Sequence, residues 1–505
     1  MSFHEIKVAT HNFSHENLIG RGGFGKVYEG ILTRGDKSTT IVAKRFHGRR
    51  GQGEEHFLME LEILFDYKHE NIIGLEGYCN ENGEKIIVYE HASNKSLDKH
   101  LSNASLTWTK RLEICIDIVR GLAFLHKGAP TNEMVIHRDI KSANILLKGD
   151  WKAKLSDFGL SAISARKQKV YSMVVGTYGY VDPQSEEAGF FTEKSDIYSL
   201  GVVLFEILYG QLLVPTEDYD KQAASKILEQ IHGEGEVESI VFKDIKEQIA
   251  PKSLSTFRAI VSQCLVDDSK KRPTAKKVLQ KLEKSLEFQE DYEQWGPKLP
   301  EDYGDILKLS TNSKTYSTKM KKDLYNQLCK GILLLDDKVC LSIGFNGKRN
   351  EIISATTFSY RNGSPHDNWC IVPESRFEKV AEMLDISNLM IEIETKTQFL
   401  SPNTVYGVYL VFKFCDSRNV SRIPMYVDLK YRKGRESMHA YFAKLRDDEW
   451  MTIELYRFLN QKEDVVFNFL LESLSPYYCR DYDAIYVEGI EFRPSENASF
   501  DVLLF

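Results

Sequence analysis

Two periodicities divide the chain. Up to about residue 288, short apolar runs alternate with long amphipathic stretches. Ile86-Ile87-Val88-Tyr89 has the length and composition of a buried strand. Between Leu112 and Ala123 the apolar positions 112, 115, 116, 119, 122 and 123 repeat as one face of a helix. Glycines and charges break up the early part, and helical periods dominate after residue 108, which predicts a small β-rich lobe followed by a larger helical one. Beyond about residue 320 the pattern becomes strand-like. Ile391–Glu394, Trp450–Leu455 and Ile485–Phe492 alternate apolar and polar positions, and Val405–Phe414 is nearly all apolar, as in a strand buried on both faces. Short strands at this spacing predict an all-β sandwich or barrel. One helix is expected there, with Phe377, Val380, Ala381 and Leu384 on a shared face. Residues 289–320 hold Pro297, Pro300 and clustered acids without a clear period, and read as a linker. The expected domains are 1–288 and 321–505, joined by 289–320.

Composition narrows the class. At 505 residues, with 42% hydrophobic and 28% charged residues, the chain is an ordinary globular protein of two or three domains. A net charge of −7 argues against a nucleic-acid partner. The 8 cysteines are scattered and none forms a C-x-x-C pair, which suits free thiols in a reducing compartment. The N-terminus lacks a signal-peptide pattern, and Ser2 stands where myristoylation needs glycine. The apolar stretch Gly201–Gly210 carries Glu206 and is far short of the roughly 20 residues that span a bilayer. A soluble, cytoplasmic protein without a transmembrane span is therefore expected.

Gly20-Arg-Gly22-Gly-Phe-Gly25-Lys-Val27 fits G-x-G-x-x-G-x-V, in which glycines let backbone N–H groups approach phosphates. A dinucleotide site would need this loop to open a helix. Here Val27-Tyr28 and Ile31-Leu32 look like a second strand, which favours a hairpin folded over a nucleotide. Lys44 ends the apolar run Ile41-Val42-Ala43 and can supply a point charge to phosphates, held by an acid from a helix. Glu60 has the better offset from Phe57; Glu62 is its rival. His137-Arg138-Asp139 with Asn144, followed by Asp157-Phe158-Gly159, supplies the remaining parts. In-line phosphoryl transfer needs a carboxylate to accept the acceptor hydroxyl's proton, which Asp139 fits, and oxygen ligands for Mg²⁺ (or Mn²⁺), which Asn144 and Asp157 fit.

With these motifs in this order, residues ~13–285 resemble a eukaryotic protein kinase domain, most closely a plant receptor-like kinase of the Pelle-related group. The resemblance implies a bilobal α+β fold, with ATP as phosphate donor and protein substrates as acceptors. It implies that Tyr89 is the gatekeeper, that Glu90, His91 and Ala92 form the hinge that meets adenine, and that Asp196 braces the catalytic loop. Lys141 and Thr177 resemble the Ser/Thr-specific pattern. Arg138 before the base implies control by activation-loop phosphorylation, for which Ser161, Ser164, Tyr171, Ser172 and Thr177 are regulatory candidates. The chain departs from the family at two positions. Val42 replaces a common alanine over the adenine pocket. Gln184 stands where the family has a glutamate that pairs with a late arginine, and Arg272 is expected to donate to it.

Residues ~321–495 resemble the phloem protein 2 (Nictaba-related) lectin-like domain, through Pro373-Glu-Ser-Arg-Phe-Glu-Lys-Val-Ala381, Tyr409–Lys413 and Glu488–Pro494 among other segments. This implies a β-sandwich and a glycan ligand, with Trp369 as the aromatic to inspect first. Leu389-Met390 stand where family members often carry a tryptophan, so protein docking is an equal expectation. The overall resemblance is to a receptor-like cytoplasmic kinase, peripheral at the plasma membrane through an upstream receptor or co-receptor kinase. The alternative is an inactive kinase-fold scaffold whose C-terminal domain does the binding.

Overall fold

A computed structural model of the chain describes residues 1–46, 52–128, 133–165, 169–171, 175–213, 241–344, 346–361, 369–415, 425–461, 465–476 and 484–495. It divides into two compact units, Met1–Glu290 and Asp291–Phe505.

The first unit opens with helix α1 (Phe3–Ala9), closed at its start by a reciprocal capping box between Ser2 and Glu5. Its Ile6 and Ala9 are buried against Ile41, Ala43, Cys79 and Val88. Those residues belong to an antiparallel sheet of β1 (Leu18–Gly22), β2 (Gly25–Arg34), β3 (Lys37–Phe46), β4 (Leu75–Glu81) and β5 (Glu84–Glu90), in the order β1-β2-β3-β5-β4. Helix α2 (Gln52–Asp66) follows β3. The larger lobe is helical, as the periodicity predicts. Helix α3 (Trp108–Lys127) is capped by the Thr107 hydroxyl and stopped by Gly128 at φ 72°. Short two-stranded pairs then carry the motifs. β6 (Glu133–Ile136) pairs with β9 (Ala162–Ala165), and β7 (Ile145–Leu147) pairs with β8 (Ala153–Leu155). Further on, β10 (Val170–Tyr171) pairs with β11 (Phe190–Phe191). Helix α4 (Pro183–Ala188) leads into α5 (Glu193–Tyr209), and α6 (Pro251–Cys264) and α7 (Ala275–Trp295) follow. Every residue of α5 from Ser195 to Leu208 is buried, so the apolar stretch that starts at Gly201 belongs to a core helix enclosed on all sides. Among the described residues no helix is long and apolar enough to cross a membrane.

The second unit is β-rich, with a helical start. The stretch 289–320, read as a linker, instead holds the end of α7, then α8 (Tyr303–Lys308) and α9 (Ser313–Thr318), followed by α10 (Lys321–Lys330). Leu299, Ile306, Leu307 and Tyr316 are buried in the core of this unit. Asp291 accepts hydrogen bonds from the first two amides of α10, at 2.6 Å from Lys321 and 3.0 Å from Lys322. Elements of six residues are too short to show a helical period, which is why the sequence pattern misses them.

Among the described residues thirteen strands follow: β12 (Ile332–Leu334), β13 (Val339–Ile343), β14 (Arg349–Ser354), β15 (Ser359–Tyr360), β16 (Trp369–Cys370), β17 (Val380–Met383), β18 (Ile391–Lys396), β19 (Thr404–Phe414), β20 (Met425–Lys433), β21 (Glu436–Leu445), β22 (Met451–Asn460), β23 (Val466–Pro476) and β24 (Ile485–Pro494). The main path runs β12-β13-β14-β24-β19-β22-β21-β20-β23-β18-β15, with β16 and β17 attached through β24. Phe467 on β23 lies 4.9 Å from Phe492 on β24, ring centre to ring centre. These strands are five places apart along the path, so the sheet curls back on itself and its inner faces enclose the core. The helix expected around Phe377–Leu384 is a strand. Ala381 pairs with Val487 and Met383 with Ile485, while Leu384 is exposed. Val380 is buried with Val411 and Trp450 on one face of the strand, and Ala381 and Met383 join the main core on the other. A strand buried on both faces puts apolar residues at successive positions and mimics a helical set.

Candidate active site

A cleft of about 580 Å³ opens beneath the β1–β2 hairpin. Gly20, Val27 and Val42 line its roof, Tyr89, Glu90, His91 and Ala92 its side, and Asn144, Leu146 and Asp157 its floor. Gly22 pairs with Gly25 across the hairpin turn. A Cβ on Gly25 would meet the Arg45 carbonyl at 2.3 Å, so the close approach of β3 alone demands glycine there.

Lys44, on β3, points into the cleft. Its Nζ donates to Glu60 Oε2 at 2.7 Å and to Asp157 Oδ1 at 2.6 Å. Glu60 is fully buried on α2, whereas Glu62 is exposed. Burial pushes Lys44 down, but the two carboxylates outweigh it and hold the ammonium well above its ordinary range. Burial pushes Asp157 up, and the Lys44 charge more than offsets that, so Asp157 stays ionised below the usual carboxylate range. Burial keeps Glu60 above its ordinary value despite Lys44.

The Glu90 carboxylate is committed elsewhere. It accepts from Gly74 N–H at 2.8 Å, and from Lys148 and Lys154 at 2.6 and 2.8 Å. Burial raises it, and these partners more than compensate, leaving it below its ordinary range. What Glu90 offers a nucleotide is therefore its backbone.

Below the cleft, Asn144 Nδ2 donates to the Asp139 carbonyl at 2.8 Å and to Asp139 Oδ2 at 2.9 Å. Lys141 Nζ lies 2.9 Å from Asp139 Oδ2 and donates to Thr177 Oγ1 at 2.7 Å. Thr177 closes the cluster, its hydroxyl and amide both reaching Asp139 Oδ1, at 2.7 and 3.1 Å. Asp196, on buried α5, accepts the amides of His137 at 2.8 Å and Arg138 at 2.9 Å. It also meets His126 Nε2 at 2.8 Å. Arg138 and Asp157 adopt positive φ, 70° and 64°. Such backbone costs about 1–3 kcal/mol and persists only where the surroundings fix it, as the Asp196 bonds do for Arg138.

The regulatory candidates separate by environment. Ser161 is buried and its hydroxyl donates to the His137 carbonyl at 3.0 Å. Ser164 is buried too, Thr177 is engaged at Asp139, and Tyr171 is 74% exposed. Ser172 lies outside the described residues. Trp369 is half-buried on β16 against Tyr360 and the core of the second unit. Leu389 is fully buried.

The expected bond from Arg272 to Gln184 is absent. Gln184 is exposed and accepts from the Ser269 amide at 3.2 Å, while Arg272 pairs with Asp182. Buried Arg272 needs a full charge, and Asp182 lies on the buried side of the turn into α4 whereas Gln184 faces outward. Sequence reading also missed Lys148 and Lys154 around Glu90, and His126 behind Asp196, because no motif spacing links these pairs.

The match to known families agrees with this geometry. Residues 13–282 match the family model "Protein kinase domain" and residues 348–494 match "Phloem protein 2". The chain belongs to the protein kinase domain family and is a protein kinase in fold and in the make-up of its cleft. Relatives from Arabidopsis thaliana include the receptor-like protein kinase ANXUR2, 39% identical over 314 residues, which cover 61% of this chain and 36% of the relative. Receptor-like protein kinase FERONIA is 40% identical over 301 residues, covering 58% of this chain and 33% of the relative. The chain thus spans about a third of the length of these curated relatives.

Proposed function

We propose that this chain transfers the γ-phosphate of ATP to serine and threonine hydroxyls of protein substrates. The observation that carries the reading is the meeting of two clusters in one cleft: Lys44–Glu60–Asp157 and Asp139–Asn144–Lys141–Thr177. Lys44 supplies a fixed positive charge for the donor's phosphates, held ready by two carboxylates. Gly20, Gly22, Gly25 and Val27 cover the nucleotide, and Tyr89, Glu90 and Ala92 border its base. Asp139 accepts the proton of the attacking hydroxyl, with its carboxylate oriented by Asn144 and Thr177. Lys141 stabilises negative charge beside it.

Asp157 and the amide oxygen left to Asn144 are hard oxygen donors, the kind that Mg²⁺ or Mn²⁺ takes together with phosphate oxygens. When bound, the metal neutralises charge on the phosphates. Binding requires Asp157 to share the carboxylate now held by Lys44.

The C-terminal unit serves as a recognition domain for a protein or glycan ligand, and the kinase acts downstream of a plasma-membrane receptor kinase. Incubating the purified chain with Mg²⁺ and labelled ATP, then mapping the modified residues on it and on a generic substrate, tests the reading. Label on Ser and Thr supports it; absence of transfer from ATP leaves the kinase-fold scaffold.

A further inference from the structure

The Arg272 side chain is 0% exposed, and that of its partner Asp182 is 1% exposed. Nη1 donates to Asp182 Oδ2 at 2.7 Å and Nη2 to Oδ1 at 2.8 Å, a two-pronged, fully buried pair. Backbone carbonyls of Val266, Lys194 and Asp267 take further guanidinium protons, at 2.8, 3.1 and 3.1 Å. Asp182 also serves its own segment, accepting from the Gln184 amide at 3.1 Å and the Ser185 hydroxyl at 2.9 Å.

The segment that Asp182 ends begins at Thr177, which touches Asp139. Between them, Tyr180 is tied to α5 twice. Its carbonyl accepts from Ser199 Oγ and its phenol donates to Glu206 Oε1, both at 2.7 Å. The chain from Thr177 to Ser185 therefore spans from the reacting carboxylate to a buried anchor. The anchor's negative charge belongs to Asp182, since the residue two places on is the neutral, outward-facing Gln184.

We infer that Asp182 is a positioning residue for the acceptor hydroxyl: through Arg272 it fixes the segment that places Thr177 at Asp139. The charge that the kinase resemblance puts at position 184 has moved two residues toward the catalytic loop. This rests on the phosphotransfer reading for its kinetic consequence, but not for the pairing itself.

The test uses the full chain and four proteins: wild type, Asp182→Ala, the isosteric Asp182→Asn, and Asp182→Ala with Gln184→Glu. Stranding a buried arginine is costly, so both single variants should melt lower and raise the acceptor-peptide KM roughly tenfold or more. KM for ATP should stay within about twofold, because Lys44, Glu60 and the hinge are untouched. The double variant should recover most of the acceptor KM and the melting temperature. Should Asp182→Ala fail to fold, recovery of folding by Gln184→Glu supports the relocated charge in the same way. The inference is overturned by an unchanged acceptor KM, by equal rises in both KM values, or by a double variant no better than the single. Wild type without transfer would defeat the functional reading alone, and the melting comparison would still decide the pair.

Discussion

The phenol of Tyr89 donates to Glu60 Oε1 at 2.8 Å, so the residue that closes the back of the nucleotide cleft also steadies the carboxylate that holds Lys44. Both side chains are buried, and the bond leaves neither oxygen of Glu60 without a donor, since Oε2 takes Lys44.

Tyr89→Phe should therefore loosen Lys44 without touching it. Leaving a buried carboxylate oxygen unpaired costs about 1–3 kcal/mol. Lower thermal stability and a several-fold rise in the KM for ATP are expected. Equal melting temperatures and an unchanged KM would show that the phenol carries none of this load.

Gln184→Glu alone should be close to neutral, within about 0.5 kcal/mol, as for an exposed position away from the buried pair. Melting curves of this variant in wild-type and Arg272→Ala backgrounds test it. A large stabilisation that vanishes in the Arg272→Ala background would place the introduced carboxylate on Arg272 and contradict the observed geometry.

Glu206 adds a dependence on pH. Burial lifts its carboxyl from about 4.5 to about 7, against hydrogen bonds from Ser142, Leu213 N–H and Tyr180. A raised folded-state value means the native protein holds a proton that the unfolded chain releases between these two values. The contribution is fully present below about pH 4.5 and is lost as pH rises through about 7. It is worth on the order of 3 kcal/mol at most. Relative to Glu206→Gln, which cannot titrate, wild type should lose stability between pH 5 and pH 8. Parallel denaturation profiles across that range would refute the assignment.

The second unit should fold from a fragment beginning at Asp291 and not from one beginning at Ser317. The later start removes buried Leu299, Ile306, Leu307 and Tyr316, together with the Asp291 cap on α10. Burying such side chains is worth roughly 1.5–3 kcal/mol each. A cooperative melt of equal midpoint from both fragments would show that these helices add nothing.

The cleft was legible in sequence because phosphoryl transfer requires particular residue types at fixed spacing. Asp139, Asn144 and Asp157 declare themselves within nineteen positions, and Lys44 with Glu60 lie one strand and one helix apart. Local alternation likewise revealed β18, β22 and β24, and a nearly continuous apolar run revealed β19. What stayed hidden depends on distant partners. Nothing local distinguishes Asp182 from Gln184 as the mate of Arg272; the direction each faces at the start of α4 decides. Val380–Met383 reads as helix until β24 supplies hydrogen bonds on its flank, and the short helices before α10 are held by a core formed mostly from later residues.

The most direct measurement is phosphate transfer by wild type against Asp139→Asn, which keeps the shape of the side chain and removes the proposed proton acceptor. Nucleotide binding and labelled-phosphate transfer would be followed on both proteins in Mg²⁺. Comparable ATP affinity, label on serine and threonine in wild type, and a rate about 10²–10⁴-fold lower in the variant are expected. Equal rates in the two proteins, or no transfer by a wild type that binds ATP, would contradict the assignment of Asp139.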